Sequence, residues 1–119
     1  MSLSKIRDPV NTKANGNDPR VFLDTMHNQL FSACKRGNAQ RVREWVSRVA
    51  NVNQANDSGE TPVYIASEKG HEQVVQVLGE LGADVNQAAR GGYTPVCIAS
   101  QEGHYQVVRI LVENGADVN

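Results

Sequence analysis

Apolar residues recur along this chain at helical spacing, in short segments that end at glycines. Phe22, Met26 and Leu30 follow one another at intervals of four, which places them on one face of a helix. We expect this first helix to begin at residue 19 or 20 and to run to Arg36. Gly37 is expected to end it, because glycine readily adopts the left-handed conformation.

The same criteria predict five more helices. Thr61 and Thr94 can cap helices with their hydroxyl groups, and the proline after each threonine fits a first helical turn. Gly70 and Gly103 are expected to end these two helices. The predicted ranges of the other three helices are 39–48, 72–81 and 105–114.

The predicted helix 39–48 differs from its later counterparts at its end. Trp45 lies on its apolar stripe and is expected in the core rather than in contact with a ligand. Val49 stands where Gly82 and Gly115 follow the later helices. A β-branched side chain disfavours the left-handed conformation, so we expect this helix to end differently.

The segment 59–86 returns 33 residues later as 92–119. The two copies share 19 of their 28 aligned positions and differ at 9. A weaker match continues one period upstream, at Ala33, Gly37, Val42, Val52 and Asn53. A fixed period of this size indicates a stacked array, in which each unit buries its apolar face against its neighbours.

The repeated motifs resemble those of the ankyrin repeat. They are Thr-Pro at 61–62, Ala-x-x-x-Gly-His at 66–71, Val-Val at 74–75 and Gly-Ala-Asp-Val-Asn at 82–86, and all recur one period on. The resemblance covers about residues 28–119. It implies an all-α solenoid of stacked helix-turn-helix units with short β-turn fingers. It also divides residues 19–119 into a capping-like repeat 19–53 and full repeats 54–86 and 87–119. Residues 1–18 contain turn and breaker residues without periodicity, which predicts a flexible leader.

Two features depart from the family pattern. The family usually carries a histidine that hydrogen-bonds the cap threonine, and here Tyr64 and Cys97 occupy that position. A thiol can form such a bond only weakly. In the last repeat, Val108 and Leu111 are expected to leave apolar surface at the C-terminal end. We interpret that surface as a contact with further repeats or with another chain.

Composition and charge narrow the class of protein. The chain has 12 basic and 13 acidic residues and a net charge of −1. We take these charges as well mixed, so we expect neither nucleic acid nor membrane as a partner. Cys34 and Cys97 are nearly two repeats apart, too far for a disulfide. Free thiols and the absence of a secretory signal in residues 1–17 favour an intracellular protein, cytoplasmic or nuclear.

No candidate residue forms a catalytic or metal-binding constellation. His71 and His104 are one period apart, so they lie on successive layers, and we expect their imidazoles to hold loop backbone. His27 is alone and is expected to be exposed. Cys34 and Cys97 lie among small apolar residues, which favours packed thiols over nucleophiles. We therefore predict no catalytic residue, metal or cofactor.

The resemblance implies that a partner binds the fingertips and the concave face of the first helices of each repeat. Positions that vary between copies have either drifted as unconstrained surface or adapted to a partner. Tyr93 is the only fingertip aromatic and Arg90 is near it, and both residue types are enriched at binding hot spots. The candidate partner-binding residues are Asp57, Ser58, Glu60, Tyr64, Glu68, Lys69, Arg90, Tyr93, Gln101 and Glu102.

The expected function is therefore that of a non-enzymatic protein-protein interaction module. Two alternatives remain: a targeting or regulatory segment of a larger enzyme or channel, and self-assembly through the C-terminal end. Asn86 and Asn119 also resemble the asparagines that the factor-inhibiting asparaginyl hydroxylase modifies in ankyrin repeats. The other interpretation is that these asparagines only hold the turn into the finger. The sequence does not identify the partner.

Overall fold

The computed structural model describes the backbone of residues 19–49 and 51–118 and the side chains of residues 25–49 and 51–118. The predicted flexible leader lies outside the described residues. Within the described residues the regular structure is helical, with no β-strand. The six α-helices are α1 (Pro19–Arg36), α2 (Ala39–Val46), α3 (Pro62–Lys69), α4 (Glu72–Glu80), α5 (Pro95–Gln101) and α6 (Tyr105–Glu113).

The helices pack in two parallel rows. Helices α1, α3 and α5 form one row, α2, α4 and α6 form the other, and each helix packs against the next one in its row and against its partner within the repeat. A continuous apolar core runs between the rows. Its largest fully buried side chains include Leu30, Ile65, Leu78 and Leu111. The predicted all-α solenoid is confirmed.

The helix starts and stops follow the predicted local chemistry. The Thr61 hydroxyl accepts a hydrogen bond from the Tyr64 amide at 3.2 Å, and the Thr94 hydroxyl accepts one from the Cys97 amide at 3.3 Å. Helix α1 has the predicted end at Arg36. Helices α4 and α6 each end one residue before the predicted limit.

Helix α2 ends differently from α4 and α6, as Val49 predicts, and two residues before the expected limit. Ser47 closes it in a right-handed conformation, with φ −65°. The Val49 amide then donates to the Trp45 carbonyl at 3.0 Å. In the later repeats Gly82 and Gly115 turn into the left-handed region instead, with φ of 92° and 95°.

Two histidines join each repeat to the one before it. His71 Nε2 donates to the Lys35 carbonyl oxygen at 2.9 Å, and His104 Nε2 donates to the Glu68 carbonyl oxygen at 3.0 Å. Each acceptor lies near the end of the preceding repeat's first helix. The imidazoles hold backbone as expected, but this backbone belongs to the last helical turn of the preceding repeat and not to a loop, so the bonds connect successive layers.

The expected apolar surface on α6 is only partly formed. Leu111 is fully buried, because α6 packs against both α4 and α5 and its apolar stripe closes on them. Val108 is half-buried. The exposed apolar side chains of α6 are instead Val112 and Tyr105. The prediction for Leu111 is therefore wrong.

The remaining predictions concern the burial or exposure of Cys34, Trp45 and His27. Cys34 is fully buried, as expected, and burial raises the pKa of its thiol to about 12. Trp45 is half-buried against the core, with the Arg48 guanidinium 5.2 Å from its ring centroid. His27 is half-buried rather than exposed, because its Nε2 donates to the Asn51 carbonyl oxygen at 3.1 Å.

The Ser67 hydroxyl is fully buried between layers and has no hydrogen-bond partner among the described residues. An unpaired buried hydroxyl costs about 1–3 kcal/mol of desolvation. We expect Ser67→Ala to raise the free energy of unfolding by about 1 kcal/mol, measured by urea denaturation. The matched control is Ser100→Ala, because Ser100 holds the equivalent position but is exposed. A destabilised Ser67→Ala variant would show that the hydroxyl is paired in solution.

Candidate functional site

The first finger, residues 54–60, is built around one asparagine side chain. The Asn56 side-chain oxygen accepts hydrogen bonds from the Ser58 and Glu60 amides, both at 2.9 Å. The amide nitrogen of the Asn56 side chain donates to a Glu60 carboxylate oxygen at 3.2 Å. This arrangement leaves Asp57 and Ser58 exposed at the tip and holds Glu60 half-buried at the base.

The second finger, residues 87–93, lacks that asparagine side chain but closes with the same backbone hydrogen bond, which in the first finger joins the Asn56 amide to the Glu60 carbonyl at 2.9 Å. The Ala89 amide donates to the Tyr93 carbonyl at 2.8 Å, across a 3₁₀ turn at Arg90–Gly92. Gly91 and Gly92 both have φ of 84°, a conformation that glycine adopts without steric cost. The specific role of these two glycines is therefore to form this turn.

Tyr93 and Arg90 are both exposed on the second finger. The Tyr93 side chain retains 50% of its accessible surface. Its ring lies beside Gly91, where an added Cβ would be 3.4 Å from the nearest ring carbon. The backbone of Arg90 packs against Gly59 of the first finger, where an added Cβ would lie 3.1 Å from the Arg90 amide nitrogen. The structure thus brings the two fingers together and leaves these two side chains facing outward.

Tyr64 has little free surface, although its position predicts partner contact. It is 6% exposed and forms a small apolar cluster with Ala89 and Ile98. Burial raises the pKa of the Tyr64 hydroxyl above its usual value, and the nearby carboxylates of Glu68 and Glu60 raise it further. Tyr64 therefore attaches the second finger to α3 and α5 and lies beneath the surface that they form.

Cys97 occupies the equivalent place in the next repeat and is exposed. The prediction of a packed thiol is wrong here, because no described residue covers this position as Ala89 and Ile98 cover Tyr64. Hydrogen bonds from the Thr94 side chain and backbone lower the pKa of the Cys97 thiol below its usual value.

The other candidate residues fall into two groups. Glu60 and Glu68 are half-buried near Tyr64. Lys69, Gln101 and Glu102 are exposed. They lie at or just after the C-terminal ends of α3 and α5, one helix length from the fingers. The compact part of the candidate site therefore comprises the fingers, Tyr64, Glu60, Glu68 and Cys97.

Asparagines at the bases of the fingers bond to the next repeat. The Asn53 side-chain oxygen accepts from the Asp84 amide, and the Asn86 side-chain oxygen accepts from the Asp117 amide, both at 2.7 Å. The Asn86 side chain also donates to the Gly115 carbonyl at 3.1 Å. The Asn86 side chain therefore holds backbone of the following repeat, which gives it a structural role. Hydroxylation stays a prediction, and Asn119 lies outside the described residues.

The charges are segregated along the chain, and the expectation that they are well mixed is wrong. Residues 1–53 contain nine basic and four acidic residues, a net charge of +5. Residues 54–119 contain three basic and nine acidic residues, a net charge of −6. The net charge of the whole chain, −1, does not reveal this segregation. The array is therefore basic at its N-terminal end and acidic along its two full repeats.

The described residues hold neither a metal-binding cluster nor a membrane-spanning helix. In the part of the chain that the structure describes, no group of three or more histidine, cysteine, aspartate and glutamate side chains could hold a metal ion. None of the described helices combines the length and the apolar character that crossing a bilayer requires.

Comparison with known proteins identifies the family. The family model described as ankyrin repeats (3 copies) matches residues 13–89 and 30–119. No curated protein matches the chain. Ankyrin repeats are generally protein-protein interaction modules and are typically non-enzymatic. Because the match runs through more than half of the sequence, and because the helices stack in the two rows described above, the chain belongs to the ankyrin repeat family.

Proposed function

We propose that this protein is a non-enzymatic module that binds a protein partner along its two fingers and the adjoining faces of α3 and α5. The observation that carries the proposal is Tyr93, an aromatic side chain with half its surface exposed at a fingertip. Aromatic side chains supply large contact area with few rotatable bonds, and tyrosine and arginine are enriched at hot spots. Arg90 stands three residues before Tyr93 on the same turn.

The surface around Tyr93 is held rigid before any partner arrives. The finger that carries Tyr93 is closed by a backbone hydrogen bond, and Ala89 in that finger packs on Tyr64 and Ile98. A preorganised surface loses less conformational entropy on binding than a flexible one. The buried cluster therefore supports affinity without touching the partner.

The charges of this surface favour a partner with basic groups around an apolar anchor. Asp57 and Glu60 lie on the first finger and Glu68 lies on α3, whereas Arg90 is the one basic residue on the two fingers. Complementary charge steers encounter and selects among partners more than it adds affinity. The apolar contact at Tyr93 supplies most of the binding free energy.

Tyr93→Ala tests the proposal. We expect this substitution to weaken the binding of a captured partner by at least about 2 kcal/mol, or roughly thirtyfold in Kd, because it removes the central aromatic contact. Partners would be captured from cells of the source organism and identified by mass spectrometry. The Kd of each purified partner would then be measured by calorimetry.

Tyr105→Ala is the matched control for this substitution. Tyr105 is 75% exposed but begins α6, away from the fingers, so its loss should leave the Kd unchanged. The melting temperatures of both variants should equal that of the unsubstituted protein. A partner that binds all three proteins equally would contradict the proposed surface. A lowered melting temperature of Tyr93→Ala would assign Tyr93 a structural role.

A further inference from the structure

A second concave surface lies at the N-terminal end of the array, where α1 turns into α2. It is a cleft of about 330 Å³. We call it the arginine cleft, and its polar and aromatic lining is Gln29, Ser32, Arg36, Asn38, Arg41 and Trp45. The turn at Gly37 lies at the opposite end of the helices from the fingers. The arginine cleft is therefore separate from the partner-binding surface proposed on the two fingers, α3 and α5.

The two guanidinium groups of the arginine cleft are weakly engaged. Arg36 forms no ion pair with any side chain in residues 25–49 or 51–118. Arg41 Nη1 lies 3.4 Å from Glu44 Oε1, and both side chains are largely in solvent. Exposed pairs of this kind contribute about 0–1 kcal/mol. Both arginines can therefore turn to an incoming anion at little cost.

Neutral donors complete the lining. The Asn38 side-chain oxygen accepts from the Arg41 amide at 3.1 Å, so its amide nitrogen remains to donate into the cleft. Helix α2 has no acidic residue in its first turn, and its N-terminal end is therefore not neutralised from within. Arg36, Arg41 and Asn38 therefore all offer N–H donors to an acceptor bound in the cleft.

The surroundings of the arginine cleft carry the same sign of charge. Residues 25–53 contain five basic residues and one acidic residue, Glu44. Among the side chains that the structure describes, Arg43 is the one of these five that is paired outside the repeat, 3.1 Å from a Glu80 oxygen on α4. The leader 1–18 contains three basic and two acidic residues and does not offset this charge. The positive charge around the arginine cleft therefore favours an anionic ligand.

We propose that the arginine cleft binds an acidic segment of a protein, whose carboxylates accept hydrogen bonds from Arg36 and Arg41 while its carbon chain packs on Trp45. The guanidinium fork matches the geometry of a carboxylate and can bind it through two parallel bonds. Such a site lets the array hold an acidic segment at one end while the fingers bind another surface.

Nucleic acid fits the cleft less well. Single strands bind along a basic track with aromatic platforms on which bases stack. Trp45 is the aromatic side chain in the lining of this cleft, and it is half-buried, so the lining offers no row of platforms for successive bases. Beyond the cleft, residues 54–119 have a net charge of −6 and would repel a long polyanion. A short acidic segment avoids that repulsion.

The test uses Trp45, which is the only tryptophan of the chain, so its emission reports on the cleft directly. The probe is a short synthetic peptide of alternating glutamate and glycine. We expect a saturable change in Trp45 emission that weakens as salt rises, and no change with a glutamine-for-glutamate peptide. Arg36→Glu should raise the Kd about tenfold or more, and Arg41→Gln should also raise it.

Arg109→Glu is the matched control, because it makes the same charge change on exposed Arg109 of α6. It should alter the Kd by less than about twofold, since exposed charges beyond a Debye length are screened. Equal weakening by Arg36→Glu and Arg109→Glu, or no saturable binding, would overturn the proposal. Tighter binding of a uridine RNA oligomer would assign the cleft to nucleic acid instead.

The last measurement asks whether the protein associates with itself through the arginine cleft. The full repeats of this chain are themselves acidic, so a second copy could supply the carboxylates. Sedimentation that shows dimers of the unsubstituted protein, lost in Arg36→Glu, would overturn binding of a separate acidic partner. Circular dichroism melting of each variant would confirm that the fold is retained. The peptide-binding outcomes do not depend on the fingers, so the arginine cleft and the proposed partner-binding surface fail or succeed separately.

Discussion

Gly70→Ala is expected to lower the free energy of unfolding by about 3 kcal/mol, because two penalties coincide at this residue. Gly70 has φ of +77°, where an alanine costs about 1–2 kcal/mol. The added Cβ would also lie 2.6 Å from the His104 Nδ1 atom. The imidazole would have to move and lose its bond to the Glu68 carbonyl, worth about 1 kcal/mol.

Gly103→Ala separates the two penalties. Gly103 has nearly the same conformation, with φ of +80°, but nothing lies within 4 Å of an added Cβ there. We expect a loss of only about 1–2 kcal/mol, measured for both variants by urea denaturation. His104→Ala should cost less in the Gly70→Ala background than alone. Equal losses for the two glycines would show that the imidazole contact adds nothing to stability.

Leu78→Ala is expected to lower the free energy of unfolding by about 3 kcal/mol, within the range of about 2–5 kcal/mol for buried leucines. Leu78 is fully buried on α4, in the core that runs through all three repeats. Its truncation leaves a cavity in the central layer. Because each layer is stable only through contact with its neighbours, a defect there weakens the array on both sides.

Leu81→Ala is the control for Leu78→Ala, since Leu81 follows the same helix but is 40% exposed. We expect it to cost less than about 1 kcal/mol. The comparison is made from urea midpoints at constant slope, so that a change in the unfolded state is recognised. A loss below about 1 kcal/mol for Leu78→Ala would mean that the layers close over the cavity.

Local chemistry explains why the helices could be predicted from the sequence. The threonine caps, the proline in the first turn and the left-handed glycines act within a few residues, and the structure contains them as predicted. The different end of α2 also followed from one residue, Val49. The 33-residue period then led to stacking, because each unit exposes an apolar face that only a neighbour can cover.

The candidate site was less predictable, because burial at a repeated position depends on the neighbouring layer. Tyr64 and Cys97 are one period apart, yet the first is 6% exposed and the second is exposed. Ala89 and Ile98 from the following repeat cover Tyr64, and no described residue does the same for Cys97. The repeat pattern places both residues on the inner face, but it does not show which side chains of the following repeat cover each of them.

The arginine cleft shows the same dependence on tertiary structure. Arg36 and Arg41 are close in the sequence, but the cleft exists only because α1 and α2 fold back on each other around Gly37. Their weak pairing follows from where Glu44 and Glu80 lie in three dimensions. Composition counts charges without their order, so it indicates no electrostatic feature here.

The sequence by itself therefore determined the helices, their caps and the period, since these depend on contacts between residues close in the chain. The tertiary structure alone decided that His71 and His104 bond to the preceding layer and that Leu111 is buried on α6. It also decided which side of each layer remains open. The physical reason is that identical repeats acquire different surroundings from their neighbours, and a repeated motif carries no record of its position in the stack.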